Sequence, residues 1–80
     1  MRDALQRGVN DCAARTRRYG RHVFVGLGYD RPDAGPLAVR IAGAPILESM
    51  RSCIEEVART TRSPQPRPGP WQHSFYLRIP

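Results

Sequence analysis

The chain has 80 residues, about 40% of them apolar, which is enough for one small domain over residues 1–80 whose core supplies only a few kcal/mol of net stability. Its net charge is +6, all thirteen cations are arginine, and the pI is near 10.7, so acidic partners and nucleic acid stay open as hypotheses. No apolar run approaches the roughly 18 residues of a membrane span, so no direct span is expected.

The charge is unevenly placed. Residues 1–21 hold six arginines against two aspartates, residues 22–58 three arginines against five acids, and residues 59–80 four arginines and no acid. The two ends are basic around a mildly acidic middle. No charged-then-apolar leader is present, which taken alone points to the cytoplasm.

The first element reads as a helix. Leu5, Val9, Cys12 and Thr16 recur at steps of three and four, with Ala4 and Ala13 beside them. Asp3 is placed to cap its start, Arg15, Arg17 and Arg18 sit where cations complement a helix C-terminus, and Gly20 is the expected C′ residue. Gly8 weakens the middle by up to about 1 kcal/mol relative to alanine.

"RHVFVGLGYD" follows, in which Val23, Val25, Leu27 and Tyr29 alternate against Phe24, Gly26 and Gly28, the period of a strand. "RPDAGP" is turn chemistry, with Pro32 presetting the turn and Gly35 supplying positive φ. "LAVRIAG" alternates again, with Leu37, Val39 and Ile41 on one face and Arg40 on the other, so the two strands form a β-hairpin.

"APILESMRSCIEEVARTTR" is the clearest helix. Pro45 suits its first turn, and Ile46, Leu47, Met50, Cys53, Ile54, Val57 and Ala58 form one apolar stripe. Glu48 with Arg51, or Glu55 with Arg59, can pair on the polar side, and Ser63–Pro64 ends the element. Prolines then stand at 64, 66, 68 and 70. Such a run serves as a polyproline ligand, a linker or a stiff connector. The strand that follows it, with Trp71, His73, Phe75, Leu77 and Ile79 on one face and Gln72, Ser74, Tyr76 and Arg78 on the other, argues for a connector.

The order is therefore α-β-β-α-β, an α+β fold. The hairpin makes strands 1 and 2 antiparallel, and the second helix returns the chain so that strand 3 runs parallel to strand 2. In a purely antiparallel three-stranded sheet, strand 3 must then lie beside strand 1, giving the order 2-1-3 with both helices on one face. Strand 3 is an edge.

Chemistry-bearing motifs are sparse. The "GLG" of residues 26–28 precedes a turn rather than a helix and reads as small residues under a packed helix or at a strand crossing, not as a phosphate cradle. Cys12, Cys53, His22 and His73 lack close ligand spacing, so no metal site and no cofactor are expected. His22 and His73 fall on neighbouring strands and can approach each other, but no nucleophile stands in an elbow or beside a His–acid pair, and the chain is read as a non-enzyme. Trp71, Tyr76 and Arg78 gather with Arg62 and Arg67 around the last strand, either as a solvated edge or as a basic, aromatic binding edge.

The residues "GVNDCAA", "LAVRIAG", "MRSCIEEVARTTRSPQP" and "FYLRIP" carry a resemblance that spans roughly residues 5–80. The chain resembles the C-terminal domain of TonB-type energy transducers, and more closely the myxobacterial AgmX/PglI C-terminal family. The spacing of Cys53 and Ile54 to Pro64-x-Pro66 is its most specific part. Thr61 and Ser63 stand where that family usually has Trp and Phe, and the hairpin turn has only Gly35 in place of a glycine pair. The resemblance implies a periplasmic location in a cell-envelope assembly and a non-catalytic interaction role, with an extended partner segment added as a strand at Ser74, Tyr76 and Arg78. A membrane anchor would belong to a longer parent chain. It also implies that a dimer can form by strand exchange.

Cys12 and Cys53 lie in the apolar stripes of the two helices, as two small buried hydrophobes or as a disulfide between them. The envelope location implied by the resemblance permits oxidation and favours the disulfide. The alternative function is a small basic nucleic-acid-binding protein that stacks bases on Tyr29, Phe24 and Tyr76. Against it, the exposed face is expected to show no dense aromatic pair.

Overall fold

A computed structural model describes residues 1–15, 20–43, 46, 48–67 and 69–80. Its elements are α1 (Arg2–Ala14), β1 (Arg21–Tyr29), β2 (Ala38–Gly43), α2 (Glu48–Thr60) and β3 (Trp71–Ile79). The strands form one antiparallel sheet in the order β2-β1-β3, as the α+β reading expects.

One core holds these elements together. Leu5, Val9, Cys12 and Ala13 of α1 and Met50, Ile54 and Ala58 of α2 cover the odd-numbered face of β1, where Val23, Val25, Leu27 and Tyr29 are buried. Leu77 and Ile79 complete the core from β3, and Val39 and Ile41 flank it from β2. Both helices therefore pack on one face, α1 against β3 and α2 against β2. Cys12 and Cys53 are disulfide-bonded across the helix pair, with Cα atoms 5.9 Å apart.

Several local details differ from the sequence reading. Met1, not Asp3, stands at the N-cap of α1 and makes no side-chain cap bond; Asp3 lies in the first turn, where its charge complements the helix dipole. The helix ends at Ala14 with Arg15 as its cap, so Gly20 is not its C′ residue; Gly20 takes a φ of 62° just before β1. Thr16, Arg17, Arg18, Pro45, Leu47 and Pro68 lie outside the described residues.

The hairpin connection runs over residues 30–37, closed by the Leu37 N–H donating to the Gly28 carbonyl at 2.8 Å. Leu37 thus belongs to the turn and is 70% exposed rather than part of the strand's apolar face. Positive φ falls on Asp33, at 50°, a conformation that aspartate tolerates. Gly35 is needed for a different reason: a Cβ there would lie 2.7 Å from the Arg59 carbonyl oxygen at the end of α2.

The helix α2 stops at Thr60, before Ser63–Pro64. The Thr60 and Thr61 hydroxyls both donate to the Val57 carbonyl, and the Tyr29 hydroxyl donates to the Thr61 carbonyl at 2.8 Å. Arg59 pairs with Glu55 at 2.8 Å, whereas Arg51 turns to the β2 backbone rather than to Glu48.

The proline-rich segment is a connector pinned at both ends to the hairpin turn. Ser63 N–H donates to the Ala34 carbonyl at 2.9 Å, the Arg62 guanidinium to the Asp33 carbonyl at 3.0 Å, and Gly69 N–H to the Asp30 carbonyl at 3.1 Å. Ser63 is buried between these contacts, while Pro64, Pro66 and Pro70 are exposed.

Candidate functional site

Two surfaces of the sheet are left uncovered by the helices: the outer edge of β3 and the even-numbered face.

The edge is defined by what already occupies part of it. Gln6 on α1 donates through Nε2 to the Arg78 carbonyl at 2.7 Å and accepts at Oε1 from the Arg78 N–H at 3.2 Å. Arg2 donates to the Tyr76 carbonyl at 3.3 Å. In an antiparallel pair, backbone groups of successive residues point alternately toward and away from the partner strand. The even-numbered residues of β3 therefore face outward, and the odd-numbered ones bond β1. Gln72, Ser74 and the Tyr76 N–H point outward with no hydrogen-bond partner among the described residues. The other edge is treated alike: Arg51 of α2 donates to the outward Ile41 carbonyl of β2 at 3.2 Å.

The strand registers build the open face. Phe24 stands between Tyr76 and Ala42, Gly26 between Ser74 and Arg40, and Gly28 between Gln72 and Ala38, with His22 opposite Arg78. The Phe24 and Tyr76 rings meet edge to face, with centroids 5.5 Å apart and planes at 66°. Tyr76 is 69% exposed. Beside this pair, the Phe24 ring leans against Gly26, Gly28 leaves the β1 backbone without a side chain, and a depression of about 360 Å³ forms there, walled by Phe24, Arg40, Gln72 and Ser74. The face thus carries the aromatic pair that the sequence reading did not expect. The two glycines lie on the open face and not under a helix.

The residues read as one binding edge are divided. Ser74, Tyr76 and Arg78 share the open face and the outer edge. Trp71 is half-buried on the helix face opposite Tyr29, and Arg62 and Arg67 lie in the connector at that end of β3. From Trp71 to Arg78 the strand runs about 23 Å at about 3.3 Å per residue, so no single site joins all six.

Tyr29, taken as a base-stacking residue, is buried on the helix face, and that burial raises its hydroxyl above the usual tyrosine range. The histidines do not approach each other: His22 is on the open face, and His73 is on the helix face between the Tyr29 and Phe75 rings. Nε2 of His73 is buried without a hydrogen-bond partner. Among the described residues no cluster of three metal-ligating side chains occurs, and no helix is long and apolar enough to cross a membrane.

Sequence reasoning missed Gln6 and Arg2 as edge caps and Arg40 as a wall of the depression. Alternation did place Phe24 and Tyr76 on the open side of their own strands, but their meeting depends on a register that periodicity does not contain. No protein-family model matches the chain, and no curated protein or solved structure matches it.

Proposed function

We propose that this protein is a non-catalytic interaction module that binds an extended segment of a protein partner by strand addition along β3. The observation that carries this reading is the outward backbone of Gln72 and Ser74 and the Tyr76 N–H, without a hydrogen-bond partner among the described residues, bounded on one side by the Gln6 and Arg2 caps and on the other by the pinned connector. An added strand would satisfy those groups, as in β-augmentation generally. The open stretch accommodates a short segment of about five residues at about 3.3 Å each. Arg78 at one end and Arg67 at the other favour acidic residues in the partner.

This reading extends the TonB-like resemblance of the sequence, which implies a cell-envelope assembly as the setting. The Cys12–Cys53 disulfide fits an oxidising compartment such as the periplasm. A second copy of the chain can use the same edge, giving a homodimer.

The test is selection of displayed heptapeptides against the oxidised chain, followed by amide hydrogen exchange. Selected peptides should be rich in acidic residues and should slow exchange at Ser74 and Tyr76. Ser74→Pro removes an outward N–H at a position where an edge strand tolerates proline, and should abolish that binding in a folded protein. Peptides that bind the folded Ser74→Pro chain as they bind the parent would refute strand addition.

A further inference from the structure

The open sheet face adjoins the β3 edge through Ser74, Tyr76 and Arg78 but uses their side chains rather than their backbone, and it has its own chemistry. By strand alternation it presents residues 22, 24, 26 and 28 of β1, 38, 40 and 42 of β2, and 72, 74, 76 and 78 of β3. Arginines stand at 40 and 78 and a histidine at 22, and none of these positions is acidic. The five acids of residues 22–58 lie in turns and on α2, so the mild negative charge of that stretch does not reach this face.

We propose that this face binds single-stranded nucleic acid, with one base stacked on the Phe24–Tyr76 pair, the next over Gly28, and flanking phosphates on Arg40 and Arg78.

Three features converge on this ligand. Tyr76 keeps a ring 69% exposed on the bare sheet, braced edge to face by Phe24, which is the arrangement of a stacking platform. The Phe24 ring leans against Gly26, and Gly28 beyond it lowers the floor, so a flat ring can reach the β1 backbone there, while Ser74 and Gln72 offer hydroxyl and amide groups to base edges. Phe24 to Gly28 covers four residues of strand, about 13 Å, enough for more than one base. Arg40, beside Gly26, and Arg78, beside Tyr76, flank the aromatic pair with positive charge. An acidic peptide would answer the charges but leave the exposed ring and the glycine floor unused.

The test is fluorescence anisotropy with a labelled oligothymidylate of about ten nucleotides and the oxidised full chain, from about 50 to about 200 mM salt. Two phosphate contacts predict a slope of log K against log salt near −1.4, at about −0.7 per contact on a single strand. Tyr76→Ala, and Tyr76→Leu as a second variant that keeps an apolar side chain, should weaken binding at least about five-fold. Both retain the backbone N–H on which strand addition depends. Arg40→Gln should flatten the slope by about 0.7. Circular dichroism establishes that each variant is folded. The proposal is overturned by no saturable binding at the lowest salt. It is equally overturned if folded Tyr76 and Arg40 variants bind like the parent, which would assign the affinity to the arginine-rich ends. A labelled Asp/Gly peptide of equal charge that binds as tightly as the oligonucleotide would make the face an acidic-peptide site and also overturn it.

Discussion

The carboxamide of Gln6 holds both outward backbone groups of Arg78, donating to its carbonyl at 2.7 Å and accepting from its N–H at 3.2 Å. This is the bonding that a neighbouring strand would supply, provided here by a helix side chain. The C-terminal part of the β3 edge is thereby closed, and the part before it stays open. Edge strands left bare invite pairing with other chains, so Gln6 limits where such pairing can occur.

Removing that cap should lengthen the usable edge. Gln6→Leu keeps side-chain bulk and leaves the Arg78 N–H and C=O unpaired. The variant should keep the parent's circular dichroism and show concentration-dependent dimers in sedimentation equilibrium beyond those of the parent. Unchanged association up to millimolar protein would show that the amide does not guard the edge.

Reduction of the Cys12–Cys53 bond should cost more than any single contact in the core. The bridge closes a sequence separation of 41 residues, worth about 4 kcal/mol in the chain-entropy account. For so small a domain each kcal/mol shifts the melting point by roughly 4–8 °C. Thermal melts with and without reductant should therefore differ by about 15 °C or more. A shift below about 5 °C would mean that the reduced chain keeps the helix pair in place by packing alone.

Gly8→Ala should destabilise the protein although alanine is the better helix former by about 1 kcal/mol. A Cβ at residue 8 would overlap the Val57 side chain, next to the disulfide. Forcing that overlap costs about 1–3 kcal/mol. Adding Val57→Ala should recover part of the loss, a coupling that a double-mutant cycle by urea denaturation measures. A stabilised Gly8→Ala chain would mean that the helices separate without penalty.

Tyr29 predicts alkaline sensitivity. Burial raises its hydroxyl above the ordinary tyrosine value, so the folded state holds that proton more tightly than the unfolded state. This stabilisation is fully present below about pH 10, the ordinary tyrosine range. It is lost as pH rises from there through the raised folded value. Tyr29→Phe should remove that component of the alkaline loss. At neutral pH it should cost about 0.5–1.5 kcal/mol, because the Thr61 carbonyl loses its donor. Equal pH profiles for the two proteins above pH 10 would refute the assignment.

By itself the sequence determined the element order, the buried faces and the sheet order. Val23, Val25, Leu27 and Tyr29 announce a strand with one buried face because apolar alternation has only one burial solution, and Met50, Ile54 and Ala58 do the same for α2. Antiparallel pairing together with the direction of the return helix then leaves β3 a single place beside β1. Tertiary structure alone decided the rest, because it depends on register and on side chains far apart in the chain. Phe24 meets Tyr76 only through the β1–β3 register, and Gln6 reaches Arg78 only because α1 lies along β3. Likewise Gly8, costly to an isolated helix, is required by a partner helix whose distance no local pattern records.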